Sequence, residues 1–323
     1  MAFIKNIFSI ILLFILSISC SQKKSINYLN YWMQENGKVK ILSTIGQIND
    51  LVVAIGGDRV DPIVLIRGEL DPHSYELVKG DDEKLSRADL IFYNGLGLEH
   101  GASLSQFLRS SPQGIPLGEK VLASVPEKIL YKEGVLDPHI WMDVSLWEES
   151  IPFILEELIK LDPQGTSYYI ERSHLLEKKM KASHFYVKNT LSKVPSKRRY
   201  LVTSHDAFRY FTKEYLAEPG EADWEKRFAA PEGLSPDGQL NPLDIQNIIK
   251  FLRSHEITTL FPESNVSRDS ILKIVSAGNE LGLHLKICEQ TLYGDAMHGL
   301  SYLEMMESNA EVIAQSLQTQ EVR

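Results

Sequence analysis

The chain has 323 residues, 43% of them hydrophobic, with 34 Lys and Arg against 43 Asp and Glu for a formal net charge of −9. That apolar content supports two packed domains of ordinary size and excludes bulk disorder. The acidic balance makes nucleic acid and anionic lipid poor partners, and two cysteines are too few for a disulfide framework.

Lys5 and the almost wholly apolar run from Ile7 to Ile18 read as a secretion signal covering residues 1–19. The run is about twelve residues, short of the roughly twenty that span a bilayer, and no other stretch is a membrane candidate. The mature protein is therefore expected in the periplasm or cell envelope. Cys20, placed directly after the signal, suggests lipid attachment, although Ser17 and Ser19 equally suit plain cleavage before it. Residues 20–38 read as a polar tether.

From Val39 the pattern becomes regular. Val39 to Ile45, Asp61 to Ile66 and Asp89 to Tyr93 predict strands, alternating with helices over Gln47 to Ile55, Asp81 to Ser86 and Leu98 to Leu108. Val144 to Leu161 predicts a helix bent at Pro152. Next comes the longest element, Asp162 to Leu191, where Asp162 is placed to cap the helix and Pro163 occupies its first position. Its apolar residues Tyr169, Leu176, Met180, Val187 and Leu191 fall on one face. The alternation then restarts, with strands over Tyr200 to Thr203, Ile257 to Phe261 and Leu283 to Ile287. The helices of this half cover Ala207 to Leu216, Pro242 to Ser254, Arg268 to Leu281 and Ser301 to Leu317. Residues 217–240, rich in Pro, Gly and acids, read as a surface insertion. Alternation of this kind predicts an α/β architecture with parallel strands and ligand loops at their C-terminal ends.

The candidate chemistry sits in those loops. Asp71-Pro72-His73 and Asp137-Pro138-His139 repeat one device, in which Pro stiffens the loop and fixes the imidazole that follows. His205 adds a third imidazole at a strand-to-helix loop, with Asp206 placed to cap the next helix, and Asp295 follows Gly294, expected to let the backbone turn. Three imidazoles and one carboxylate make a complete set of ligands for a first-row divalent ion. The set is too nitrogen-rich for calcium or magnesium and lacks the thiolates of copper(I) or structural zinc sites, which leaves zinc, manganese and iron(II). Four protein ligands leave a four-coordinate ion no obligatory open position for an activating water, which favours binding over catalysis.

The chain resembles the periplasmic and lipoprotein metal receptors of ABC transporters, the TroA-like zinc, manganese and iron solute-binding proteins, from about Val39 to about Leu317. The residues that carry the resemblance are Asp71 to Glu76, Arg87 to Leu96, Asp137 to Asp143, Leu201 to Phe208, Phe261 to Asn265 and Tyr293 to Met297. The resemblance implies two Rossmann-like α/β lobes, residues 39–161 and 194–323, joined by one long rigid backbone helix over 162–193, with the metal site between them. It implies His73 and His139 as first-lobe ligands, His205 and Asp295 as second-lobe ligands, and Glu263 close behind them. Asp71, Asp137, Asp206 and Glu263 are candidate acceptors for the ligand imidazoles. The absence of His from Gly101 to Pro138 departs from zinc-dedicated relatives, and His205 departs from manganese receptors with Glu at that position, so the metal stays open among Mn2+, Fe2+ and Zn2+.

The implied partner is a membrane permease with its separate ATPase, the chain acting as a monomer, touching the membrane only through a lipid on Cys20, with no catalysis. A metal-dependent hydrolase, or a surface adhesion or chelate-binding protein on the same scaffold, are the alternatives. His298 is read as a loop residue or an auxiliary donor, and His100, His174, His184, His255 and His284 as structural.

Overall fold

The computed structural model describes residues 29–236 and 240–318. The secretion signal and Cys20 lie outside the described residues. The expected tether is shorter than its polarity suggests, because residues 29–32 are already helical and Trp32 is buried. Its indole donates to the Asp61 carbonyl at 2.9 Å, and Lys40, which forms a 2.5 Å ion pair with Asp61, lies over its ring. One aromatic anchor thus outweighs the polar residues around it.

Four parallel strands form the first sheet: β1 (Val39–Ser43), β2 (Val60–Val64), β3 (Leu90–Tyr93) and β4 (Gly114–Pro116), in the order β2-β1-β3-β4. Val39 pairs with Val60 and Ile41 with Leu90. Helices α1 (Gly46–Gly56), α2 (Asp81–Arg87), α3 (Ala102–Ser110) and α4 (Leu117–Ser124) accompany it. Strand β4 and α4 were not expected. Gly114, Pro116 and Gly118 look like turn residues, yet pairing with β3 makes this segment a strand. Helix α3 begins later than predicted because the backbone before it is engaged elsewhere, the His100 and Gly101 amides both donating to the His73 carbonyl.

A short antiparallel hairpin, β5 (Tyr131–Lys132) and β6 (Val135–Leu136), precedes α5 (Val144–Trp147) and α6 (Ile151–Leu161). The break between these helices is a tight turn over Glu148–Ser150, and Pro152 lies in the first turn of α6, where its missing N–H does no harm. Asp143 caps α5 by accepting from the Ser145 and Leu146 amides.

The long helix α7 runs Thr166–Ser192, 27 residues or about 40 Å at 1.5 Å each. All five apolar residues predicted for its inner face are buried, joined by Ser173 and Ser183. Its start differs from the expectation. Asp162 makes no cap; Arg59 grips its carboxylate at 2.6 and 2.8 Å, Tyr169 donates to it at 2.7 Å, and a tight turn over Pro163–Gly165 leads into the helix.

Beyond α7 come β7 (Leu201–Val202), α8 (Arg209–Phe211, continuing as a π-helical turn over Thr212–Leu216), β8 (Phe228–Ala229), α9 (Pro242–Ser254), β9 (Thr259–Leu260), α10 (Asp269–Glu280), β10 (Lys286–Ile287) and α11 (Tyr302–Gln318). Strands pair in parallel as β7–β8 and β9–β10, and the Phe261 amide bonds the Val202 carbonyl at 2.8 Å between the pairs. The supposed surface insertion is therefore partly structural, since it supplies β8 and buries Arg227 against the Ser196 carbonyl and Glu221. Asp206 caps no helix, because α8 begins at Arg209 without a side-chain cap.

Helix α7 is a shared spine that packs along α11 and against α1, α5 and α6. The larger apolar core accordingly unites the first lobe with α7, α8 and α11, while a smaller one gathers Val202, Ile248, Leu252, Ile257, Leu260, Ile271, Ile274 and Leu285. Met180, fully buried on the spine, is expected to cost about 2–5 kcal/mol when cut to Ala. Phe185→Ala on the same helix, 71% exposed, should change stability by less than about 0.5 kcal/mol. Denaturant unfolding of both variants checks this, and equal losses would refute the assignment of the buried face.

Candidate metal centre

The four donors predicted from the sequence come together. His73, His139, His205 and Asp295 are all buried, and one ligating atom from each lies within 4.8 Å of every other. His139 Nε2 is 3.3 Å from His73 Nε2 and 3.5 Å from Asp295 Oδ1; Asp295 Oδ2 is 3.6 Å from His73 Nε2 and 3.2 Å from His205 Nε2. Two ligands each about 2.1 Å from one ion and tetrahedrally disposed stand roughly 3.4 Å apart. The observed spacings bracket that edge.

Local structure explains why each donor is where it is. Asp71 accepts from the backbone amides of His73 and Ser74, closing the turn that carries His73, so it orders the loop and leaves the imidazole alone. Asp137 does both tasks, accepting from the His139 amide at 3.1 Å and facing its Nδ1 at 2.8 Å. Behind this loop, Asn94 donates to the Pro138 carbonyl at 3.0 Å, and the buried Glu99 holds the Asn94 and Gly95 amides and the Thr44 hydroxyl. Burial raises the Glu99 pKa, against those hydrogen bonds.

Glu263 accepts from the His205 amide at 2.8 Å and places its other oxygen 2.7 Å from His205 Nδ1. Of the four candidate acceptors, Asp137 and Glu263 thus face a ligand imidazole, whereas Asp71 and Asp206 do not. An acceptor at Nδ1 keeps a proton there, so Nε2 is the nitrogen turned to the centre. Gly294 contributes space rather than a special turn: a Cβ there would lie 2.7 Å from Glu263 Oε2, and its φ is outside the left-handed range.

The Asp295 loop is held by groups that sequence reasoning missed. Gln47 donates from α1 to the Asp295 carbonyl at 3.0 Å, and the Trp141 indole donates to the Gly294 carbonyl at 3.0 Å. Trp141 lies two residues beyond His139 in a quoted motif, which is a usable signal; Gln47 carries none. On another side of the cleft, Lys132 on the β5–β6 hairpin forms an ion pair with Asp206. Burial pushes Asp206 up to about 6 despite that lysine.

Electrostatics divides the imidazoles. Burial keeps His73 well below the usual histidine range, so it is neutral and ready to coordinate. Burial opposes charge on His205 too, but Glu263 and Asp295 together outweigh it and push its pKa well above 6.5. Burial alone would raise Asp295; His205, then His73 and His139, instead hold it well below the carboxylate range. Outside the quartet, the His100 ring lies 5.7 Å from His73, His255 stacks on Tyr200 and His184 bonds Tyr215.

Comparison with known proteins places the described α/β region in one family. The family model described as zinc-uptake complex component A, periplasmic, matches residues 41–316. The metal-binding protein YtgA of Chlamydia pneumoniae is 38% identical over 87% of this chain and 86% of its own length. The zinc-binding protein TroA of Treponema pallidum is 31% identical over 87% and 90%. The manganese-binding lipoprotein MntA of Bacillus subtilis is 30% identical over 80% and 82%. Among solved structures, Fe(III)-bound YtgA from Chlamydia trachomatis superposes with a TM-score of 0.83 at 36% identity, covering 87% of this chain and 98% of that one. Periplasmic TroA of Treponema pallidum gives 0.78 at 31%, covering 87% and 99%. No described helix is long and apolar enough to cross a membrane. With parallel α/β sheets, a long helix and a buried three-histidine, one-aspartate cluster, the chain belongs to the zinc-uptake component A family, the extracytoplasmic metal-binding components of ABC transporters.

Proposed function

We propose that His73, His139, His205 and Asp295 together hold one divalent first-row metal ion as cargo, which the protein delivers to its permease. The observation that carries this is the convergence of four buried donors at the spacing of a tetrahedral edge, with Asp137 and Glu263 fixing two of the imidazoles. Export as a monomer anchored through a lipid on Cys20 belongs to the same reading.

The donor set favours nitrogen-preferring ions and follows the usual order of affinity, manganese below iron(II) below zinc, so physiological cargo depends on supply as well as on binding. Relatives named for zinc and for manganese, and one solved with Fe(III), keep the choice of cargo an experimental matter. A hydrolase is disfavoured because all four donors, and Glu263 behind His205, are taken up in holding the ion or its ligands.

The first test is elemental analysis of protein stripped and reloaded anaerobically with equimolar zinc, manganese and iron(II). One metal per chain is expected, dropping below a tenth in His139→Ala; absence of stoichiometric metal in the unaltered protein refutes the reading. Removing the support behind a ligand should cost less than removing the ligand. Glu263→Gln, and Gly294→Ala through its clash with Glu263, are each expected to weaken zinc binding about 10- to 100-fold.

Protons should compete with the metal. His205 has a folded pKa well above 6.5, so near neutral pH it carries a proton that an ion must displace. Affinity is therefore expected to fall about tenfold per unit as pH drops from 7.5 to 6.5. Calorimetry at pH 7 in buffers of different ionisation heat should show about one proton released per zinc bound; zero release would overturn this assignment of charge.

A further inference from the structure

A cavity of about 330 Å³ opens between the loop carrying Met297 to Leu300 and the segment from Pro62 to Pro72, and Asp295 lies on its wall. We propose that this cavity is the entry vestibule for the metal, with Glu69 and His298 forming a second, weak divalent-cation site that passes the ion along Asn49 and Gln47 to Asp295. This rests on the reading of the quartet as a metal site.

Four observations carry it. The quartet residues are at most 4% exposed, so an ion reaches them only through a path the fold provides. Glu69 Oε1 and His298 Nδ1, from opposite sides of the cleft, stand 3.1 Å apart. Two neighbouring ligands of an octahedral ion, each about 2.1 Å away, are roughly 3.0 Å apart, so the pair can grip an ion that keeps most of its waters. Such a grip is weak and quickly exchanged.

The third observation is a set of unpaired acceptors. Glu69 Oε2, Asn49 Oδ1, Gln47 Oε1 and Asp295 Oδ1 are buried oxygens without a hydrogen-bond partner. Gln47 is wholly buried, and with its amide nitrogen spent on the Asp295 and Gly294 carbonyls, its oxygen is left for a ligand. Gln47, Asn49 and Asp295 all line the cavity. Such oxygens suit a cation or its hydration shell. Arg67, the cationic side chain on the wall, has its Nε tied to the Val64 carbonyl at 2.9 Å. A second cavity, about 440 Å³, leads instead to Asp206 and has none of the quartet residues on its wall.

Fourth, His298 holds a φ of 49°, a conformation that residues with a Cβ adopt at a cost, and its ring stacks on Tyr293. Packing alone does not require an exposed imidazole in that posture.

The test is rapid mixing of metal-free protein with zinc, for the unaltered chain, Glu69→Gln and His298→Gly, the glycine retaining the backbone angle. Equilibrium stoichiometry is read first, and failure of the unaltered protein to bind one zinc refutes the metal-receptor reading itself. Given normal stoichiometry, a vestibule site predicts association slowed about tenfold in each variant, within the range of electrostatic capture, with release slowed equally and affinity unchanged. Association that is unchanged or faster refutes the vestibule, and faster association with faster release identifies Glu69 and His298 as a plain latch. A second reading uses zinc-loaded protein titrated with Mn2+. Paramagnetic broadening of the His298 ring protons, beyond that at exposed His100 and abolished by Glu69→Gln, is expected, and broadening no greater than at His100 overturns the proposal.

Discussion

Everything in this molecule turns on holding three imidazoles and a carboxylate together in a place that excludes water. Four of their donor pairs stand 3.2 to 3.6 Å apart and all lie within 4.8 Å, and burial alone would disfavour every charge among them. The arrangement stands on charged and polar neighbours placed at several of its ends. Glu263 and Asp295 flank His205, Asp137 faces His139, and the His205 backbone amide donates to the remaining carboxylate oxygen of Glu263. Buried groups of this kind are tolerated when paired and costly when half-paired.

The two sheets and their loops serve that gathering. The first-sheet segments bring His73 and, through Asn94 and the Pro138 carbonyl, His139 to one side, while β7 and the segment after β9 bring His205 and Glu263 to another. Asp295 stands between them in an unusual position. By chain order it belongs to the C-terminal half, yet Gln47 and Trp141 of the first lobe hold its loop, and Tyr302 just beyond bonds both the Trp141 carbonyl and Asp50. The carboxylate is thereby fixed to the same body as His73 and His139, and His205 with Glu263 approaches it from the loops after β7 and β9.

Much of this was legible in the sequence, for identifiable reasons. Repetition of Asp-Pro-His, the strand-to-helix setting of His205 and the Tyr-Gly-Asp turn pointed to four donors that the fold does bring together. The buried face of α7 was legible because a 27-residue helix repeats its pattern many times. What escaped was set by tertiary pairing. Gly114 to Pro116 became a strand because β3 offered it partners, and 228–229 did so beside β7. Asp162 and Asp206 looked like caps because local sequence cannot reveal that Arg59 and Lys132, distant in the chain, claim them. Gly294 was read as a backbone hinge, whereas its missing Cβ makes room for Glu263.

The charge on His205 links the site to the stiffness of the whole. When that imidazole carries a proton it sits as a cation between Glu263, at Nδ1, and Asp295, at Nε2. On the proposed reading of the quartet as a metal site, exchange of proton for metal would change which cation Asp295 faces. A site whose charges are balanced in both forms needs no wide opening to survive the loss of its ion. That agrees with a scaffold in which α7 packs against helices of both halves and the Asp295 loop is bonded across the cleft. Such a scaffold permits short displacements of packed elements rather than the swing of a free hinge. On the same proposed reading of the quartet, proton and metal are alternative cations in a frame held by packed elements on both sides.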